Sequence, residues 1–375
     1  VRIERSEISE TGEYDLEGLF VRIAYAINEL GAKRIALDTV ESLFSGLANV
    51  AILRAELRRL FLWLKDRGMT AIITAERGEG SLTRQGLEEY VSDCVILLDH
   101  RVNEQISTRR LRIVKYRGSL HGTNEYPFLI DQEGISVLPV SSLKLDHVVS
   151  RQRVSSGLRS LDAMLEGKGF YQGSTIMISG TPGTGKTSLA AHFAKDLCAK
   201  GQRVIFFTFE ESADQVMRNM KSIGIDLAPC VKRNLLRFEA SRPSIYGLEM
   251  HLISMHKAID RFDPQAIIMD PISNLITTGN PGEVRSMLTR LIDYLKTRRT
   301  TALFNDLIDS GQKSDSTNVG VSSLMDTWIT IRNTLVDTER QRHICVLKSR
   351  GMDHSRHVRR LEISKRGVRI VVPGV

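Results

Sequence analysis

From residue 175 onward the chain alternates short apolar, β-branched runs with longer amphipathic stretches. The runs at 175–179, 203–209, 265–270, 300–305, 327–332 and 342–348 predict strands. The stretches at about 186–200, 212–223, 247–261 and 283–298 predict helices. Strands separated by helices predict a parallel sheet covered on both faces. The late runs 327–332, 342–348 and 357–372 follow one another without a helix, so an antiparallel extension is expected there.

The first of these strands runs into Gly180-Thr-Pro-Gly-Thr-Gly-Lys186-Thr187-Ser188, which then opens a helix. This is the G-x-x-x-x-G-K-[ST] phosphate cradle. Backbone N–H groups of Gly180, Thr181, Gly183, Thr184 and Gly185 approach phosphates, and Lys186 reaches the β and γ oxygens. The Thr187 hydroxyl, with Ser188 beside it, meets Mg²⁺. A loop that merely turns has no need of a lysine after its last glycine, so the chain is expected to bind a nucleoside triphosphate. Asp270 closes the buried run 265–270, the place of an acid that holds the Mg²⁺ hydration shell. Alone it would read equally as a strand-end turn cap. Glu210 and Glu211 follow the strand 203–209; one can accept a proton from an attacking hydroxyl while its neighbour tunes that base or touches the metal. The same pair suits an acidic first turn of the helix beginning at Ser212.

At 375 residues, with 42% hydrophobic and 26% charged content, the chain has room for two domains of ordinary soluble character. No apolar run approaches the ~20 residues that cross a bilayer, and the charged opening Val1-Arg-Ile-Glu-Arg-Ser is no signal peptide. With Val at position 1, upstream sequence is expected. Cys94, Cys198, Cys230 and Cys345 are scattered and read as reduced, mostly buried thiols of a cytoplasmic protein. A net charge of +8 permits nucleic-acid binding. The basic residues are nevertheless spread, with small clusters only at Arg109-Arg110, Lys296-Thr-Arg-Arg299 and Arg356 to Arg360.

The chain also repeats itself. Asp38 and Asp270 each end an apolar strand, 270 − 38 = 232 residues apart. Asp93 and Asp326 lie 233 apart, as do Lys115-Tyr-Arg117-Gly118 and Lys348-Ser-Arg350-Gly351. Constant spacing predicts two copies of one domain: the carboxyl-terminal portion of the first over 1–140, a linker at 141–153, and a complete second copy over 154–375. Subtracting 232 from 186 gives −46, so the first copy's phosphate loop would precede Val1 and that copy is expected to be incomplete. Lys348 and Arg350 fit cations that finish a phosphate site from an adjacent subunit; an exposed edge strand carries such residues too.

Together these residues resemble the KaiC family of circadian-clock ATPases and autokinases. The resemblance spans essentially the whole chain. It rests on Val154-Ser-Ser-Gly157-Leu-Arg-Ser-Leu161-Asp162, the phosphate loop, Glu210-Glu211-Ser212, Asp270, Lys115-Tyr-Arg-Gly-Ser-Leu-His121 with Glu125-Tyr-Pro-Phe128, and the duplication. It implies an α/β fold of tandem RecA-like P-loop ATPase domains, the first one incomplete, assembled as a homo-hexamer of stacked rings with ATP and Mg²⁺ between subunits. It places catalysis at Glu210 and Glu211, metal contacts at Thr187, Glu210 and Asp270, and phosphorylation at Ser322 and Ser323, with Thr317 a transient acceptor. Nucleotide-contacting cations map to Arg342, Lys348 and Arg350, with Arg109, Lys115, Arg117 and His121 in the first layer. By sequence alone Ser322-Ser323 reads as a turn or helix-capping pair; only the resemblance makes it an acceptor pair.

There are departures. Ser323 stands where well-known members have Thr, Thr277 where they carry Arg, and Met352-Asp353 where they carry Ser-Trp. The chain ends at Val375 without the tail on which the activator KaiA acts, so a KaiA-independent system is expected, with a KaiB-like partner and an output signalling kinase as candidate partners. A DNA motor on the same core would need basic loops facing a central hole. The candidate loop 309–318 holds one Lys and two Asp, a poor phosphate groove, so DNA is not an expected partner. A non-catalytic adaptor, in which nucleotide only holds a ring together, is the third reading.

Overall fold

The computed structural model describes residues 16–39, 50–76, 91–103, 106–132, 134–137, 150–245, 247–308 and 320–371. The expected loop at 309–318 and residues 141–149 of the expected linker lie outside them. The chain separates into two compact units, Val1–Leu98 with Leu111–Glu125, and Asp99–Arg110 with Tyr126–Val375.

In the first unit, α1 (Leu16–Leu30), β1 (Arg34–Leu37), α2 (Val50–Asp66) and β2 (Thr70–Ile73) form an α/β arrangement with β1 and β2 parallel. Leu57, Leu60 and Leu64 recur on one face of α2 and bury against Phe20 of α1. Further along the chain, β3 (Cys94–Asn103), β4 (Ile106–Tyr116), β5 (Glu125–Asp131) and β6 (Gly134–Val137) form a four-stranded sheet in chain order.

From residue 150 the second unit continues with a short antiparallel pair, β7 (Arg153–Val154) with β8 (Phe170–Tyr171), that leads into β9 (Thr175–Gly180). Buried Asp162 organises this entry by accepting hydrogen bonds from Ser155 Oγ (2.5 Å), Ser156 N (2.8 Å) and Ser156 Oγ (2.6 Å). Then come α3 (Lys186–Ala199), β10 (Val204–Thr208), α4 (Ala213–Ser222), β11 (Leu236–Ala240), α5 (Leu248–Phe262), β12 (Ala266–Asp270), α6 (Pro281–Thr297) and β13 (Thr301–Leu307). The chain finishes with β14 (Thr327–Val336), β15 (Glu339–Ser349), β16 (Arg359–Ser364) and β17 (Gly367–Val371). These strands make one nine-stranded sheet in the order β11-β10-β12-β13-β9-β14-β15-β16-β17.

The sheet is buried on both faces, which is why its central strands run apolar through their middle residues, with polar side chains mostly toward their ends. On one face Ile176, Ile178, Phe206 and Ile268 pack under α3 and α4; on the other Met177, Ile205, Ile267 and Phe304 pack under α5 and α6. Capping boxes start two of the helices: Ser212 with Gln215 at α4, and Asn280 with Glu283 at α6.

Three details differ from the sequence pattern. The run 327–332 is parallel to β9, with Trp328 beside Met177, so the antiparallel extension begins only at β15. The 327 − 307 − 1 = 19 residues before β14 are enough for the crossover a parallel strand requires. The run 357–372 is a hairpin that turns at Lys365-Arg366. Finally β11, whose Leu-Arg-Phe-Glu-Ala mixes charge into a strand, is the sheet edge, where charge is normal.

The duplication is visible as repeated contacts within each unit. Arg34 pairs with Thr70 in β1–β2, and Ala266 with Thr301 in β12–β13, displaced by 232 and 231 residues. Arg117 N donates to Asp93 O at 2.9 Å, as Arg350 N does to Asp326 O at 2.8 Å. Lys65 Nζ lies 3.6 Å from Asp93 and Lys296 Nζ 3.8 Å from Asp326. The left-handed residue after α2 is Gly68 (φ 65°), whereas its counterpart after α6 is Arg299 (φ 56°). An L side chain there costs roughly 1–2 kcal/mol. Exposed Arg299 replaced by glycine (R299G) is therefore expected to stabilise by about 0.5–1 kcal/mol after the entropy of glycine is subtracted. That corresponds to a rise of ~1–4 °C in Tm; a lower Tm for R299G would contradict this account.

Candidate functional site

The carboxyl ends of β9, β10 and β12 converge on a cavity of about 410 Å³. Its wall includes Gly183, Gly185, Lys186, Thr187 and Ser188 from the glycine-rich loop and α3, Glu210 and Glu211 after β10, and Asp270 of β12. Crevices outside the carboxyl ends of parallel strands are where open α/β sheets bind ligands. Gly185 is the N-cap of α3 at φ 102°, and a Cβ there would come within 2.4 Å of Ile363 Cδ1. No side chain caps this helix, so its first N–H groups are left to the loop and to a ligand. Beneath it Thr184 Oγ1 donates to Thr181 O (2.8 Å), and Trp328 Nε1 donates to Ser179 Oγ (2.8 Å), bracing the loop from the core side.

Lys186 is 5% exposed and donates through Nζ to Gly180 O at 2.7 Å and Thr181 O at 2.9 Å. Burial lowers its ammonium to about 8, while Asp270, Asp306 and Glu210 pull it back up. Burial likewise raises the Asp270 carboxyl, opposed by the Thr187 hydroxyl, by Asn305 and by Lys186. Glu211 is held by Asn219, whose Nδ2 donates to its Oε1 at 2.8 Å, whereas Glu210 is exposed and makes no hydrogen bond among the described residues.

Two residues went unflagged in the sequence. Asn305 and Asp306 lie near the end of β13 next to β9 and are fully buried, yet none of their four side-chain polar atoms makes a well-formed hydrogen bond among the described residues, although Asn305 lies close to Asp270 and Asp306 close to the Leu307 N–H. Thr208 Oγ1, at the end of β10, is orphaned too. Burial pushes the Asp306 carboxyl up to about 7, against the pull of Lys186 and the Leu307 N–H. The signal was available: a polar pair closing an apolar run is the same pattern that drew notice to Asp270. Orphaned polar atoms at strand ends beside a cationic loop fit a polyphosphate with a hydrated divalent cation. Thr187 and Asp270 are the residues that would hold the cation.

Other sequence-derived positions divide. Arg342 Nε donates to Gly183 O at 3.3 Å, against this loop. Lys348 and Arg350 instead hold the Ser322–Leu324 turn: Lys348 Nζ donates to Ser322 O at 2.7 Å and Arg350 Nη2 to Ser323 O at 2.8 Å. Arg285 Nη2 lies 3.5 Å from Ser323 Oγ. Thr317 lies outside the described residues. Arg109 and Lys115 are half-buried on β4, Arg117 faces Asp93 at 3.6 Å, and His121 is half-buried in the following loop. The cavity wall is drawn from residues 182–363 and includes none of these four.

A phosphate loop on a central parallel strand, acids at the ends of the neighbouring strands and two-sided helical cover define a RecA-like P-loop ATPase. The family model described as "ATPase: KaiC" matches residues 1–142 and 154–374. The chain belongs to the KaiC family. It is 53% identical over 373 residues to circadian clock protein KaiC2 of Synechocystis sp., a match covering 99% of this chain and 66% of that protein. It is 35% identical to KaiC3 of the same organism, covering 97% of this chain and 72% of that protein. To the circadian clock oscillator protein KaiC of Synechococcus elongatus it is 36% identical, with 95% and 69% covered. The chain thus spans about two thirds of the length of these relatives.

The lowered Lys186 ammonium makes a prediction. Phosphate oxygens restore its proton, so nucleotide binding between pH 8 and 10.5 should take up a proton and weaken as pH rises. Calorimetry at pH 9 in two buffers of different ionisation heat is expected to give an uptake of roughly 0.5–1 proton, abolished in K186M. Equal uptake by K186M would assign the proton elsewhere.

Proposed function

We propose that the protein is a KaiC-type enzyme that hydrolyses ATP and transfers its γ-phosphoryl group to its own Ser322 or Ser323, serving as a regulatory or timing hub. The observation that carries this reading is the convergence of Lys186, Thr187, Asp270, Glu210 and Glu211 on one cavity. Lys186 and the α3 N–H groups would bind and orient the phosphates. A bound Mg²⁺ would offset negative charge on the transferring group. Glu210, without a hydrogen bond among the described residues, would take the proton of an attacking water or serine hydroxyl as its oxygen bonds to the γ-phosphorus. The bond from that phosphorus to the ADP oxygen breaks in the same displacement.

Lys348, Arg350 and Arg285 gather at the Ser322–Ser323 turn. A phosphate there brings a charge of about −1.5 to −2, which these cations are placed to receive. Because Lys348 and Arg350 stand outside the cavity wall, a role in neutralising the γ-phosphate belongs to the pocket of an adjacent protomer, which favours the homo-hexamer. On this reading a KaiB-like protein and an output signalling kinase are the partners, Thr317 is a transient acceptor, and the setting is cytoplasmic. No described helix is long and apolar enough to cross a membrane.

Incubation with γ-labelled ATP and magnesium is expected to place label on Ser322 or Ser323, lost in S322A/S323A. E210Q/E211Q should lower both labelling and ADP release by about 10²–10⁴-fold. Turnover of ATP with no label on the protein would leave an ATPase without kinase activity, and neither turnover nor label would leave a nucleotide-held adaptor.

A further inference from the structure

The two neighbouring acids sit in unlike surroundings. Glu210 is exposed and without a hydrogen bond among the described residues, while half-buried Glu211 accepts from Asn219 Nδ2 at 2.8 Å. Asn219 lies in the second turn of α4, and that helix is fixed at both its start and its inner face. Ser212 N donates to Gln215 Oε1 (2.8 Å) and Gln215 N to Ser212 Oγ (3.3 Å), so the first turn begins directly after Glu211. Val216 and Met220, four apart, are buried and form part of the cavity wall, which sets the rotation of the helix relative to the site. A primary amide can flip and present its oxygen instead. Arg218 Nη2, 3.4 Å from Asn219 Oδ1, favours the orientation that aims the NH₂ group at Glu211.

We propose that Asn219 is a positioning residue: by holding Glu211 against α4 it fixes one acid of the pair and leaves Glu210 to meet the substrate. A carboxylate at a strand end otherwise samples several rotamers. Two mobile like charges in one crevice would also repel each other and crowd the phosphate. The Arg218–Asn219–Glu211 chain removes that freedom on one side only. This inference rests on the acid-pair reading of the preceding section, and it adds a residue that does not itself touch the reacting atoms.

The test is a double-mutant cycle on ATP turnover, with nucleotide affinity followed separately by a fluorescent ATP analogue. N219L, similar in size but without a donor, is expected to lower kcat about 10–100-fold, the loss a displaced catalytic group produces. Affinity for the analogue should stay within about twofold and Tm within ~2 °C, as uniform effects on binding or folding are not involved. N219D, which keeps the shape and turns a like charge toward Glu211, is expected to lose at least as much and guards against misfolding of the leucine variant. In an E211Q background N219L should cost nothing further, because a residue acting through Glu211 has no effect once Glu211 is gone. An equal loss in both backgrounds would make Asn219 merely structural and overturn the proposal. N219L and N219D at the unmodified rate, with E211Q slow, would overturn it while leaving the acid pair standing. E211Q at the unmodified rate would overturn both.

Discussion

Parallel pairing of β9 between β13 and β14, at the middle of the nine-stranded sheet, is the constraint from which the rest follows. Parallel strands with helical crossovers all end on the same side, so whatever follows each strand meets at one edge. The phosphate loop follows β9, Glu210 and Glu211 follow β10, Asp270 closes β12, and Asn305 and Asp306 close β13. None of these residues finds the others through local sequence. They meet because Ala302 pairs with Thr175, Ala266 with Thr301 and Val204 with Ala266 along the sheet.

That edge gathers charge in a place where burial makes charge expensive. Lys186 is drawn into the loop carbonyls and loses part of its hold on its proton, while Asp270 and Asp306 are raised by the same loss of water. Asp306 forms no ion pair among the described residues and feels Lys186 and the Leu307 N–H without a well-formed hydrogen bond, and the side-chain polar atoms of Asn305 beside it are equally short of one. A fold that buries these groups without well-formed hydrogen bonds has kept a polar cradle at a cost in stability. The pattern is that of a site shaped for a ligand and not for the stability of the chain alone.

The duplication shows which features of the domain are physical necessities. Strand register, the Lys–Asp pair and the backbone bond from the arginine of the K-x-R-G motif to the facing aspartate recur in both copies. The local means differ: glycine follows α2 where Arg299 follows α6 in the same left-handed conformation. The aspartates that mark the repeat, Asp93 and Asp326, are therefore structural as well as recurrent. Each accepts the backbone N–H that closes the end of a strand, and Asp326 Oδ2 also accepts from Thr175 N and Oγ1 at the start of β9.

The fold class, the phosphate loop, Asp270 and the Glu210–Glu211 pair at strand ends, and the repeat were all legible in the order of residues along the chain. These rest on local chemistry and fixed spacing: a glycine-lysine turn after an apolar run has few other uses, and strand and helix periods are written in consecutive residues. What depends on distant segments meeting emerged from the folded chain alone. It placed Arg342 against the loop of its own chain while Lys348 and Arg350 grip the Ser322–Ser323 turn, although all three lie on or just after one strand. It set Glu211 apart from Glu210 through Asn219, a difference that two identical adjacent letters cannot express. It also exposed Asn305 and Asp306 as buried without well-formed hydrogen bonds, since burial is a property of what packs around a residue and not of the residue's own neighbours in the chain.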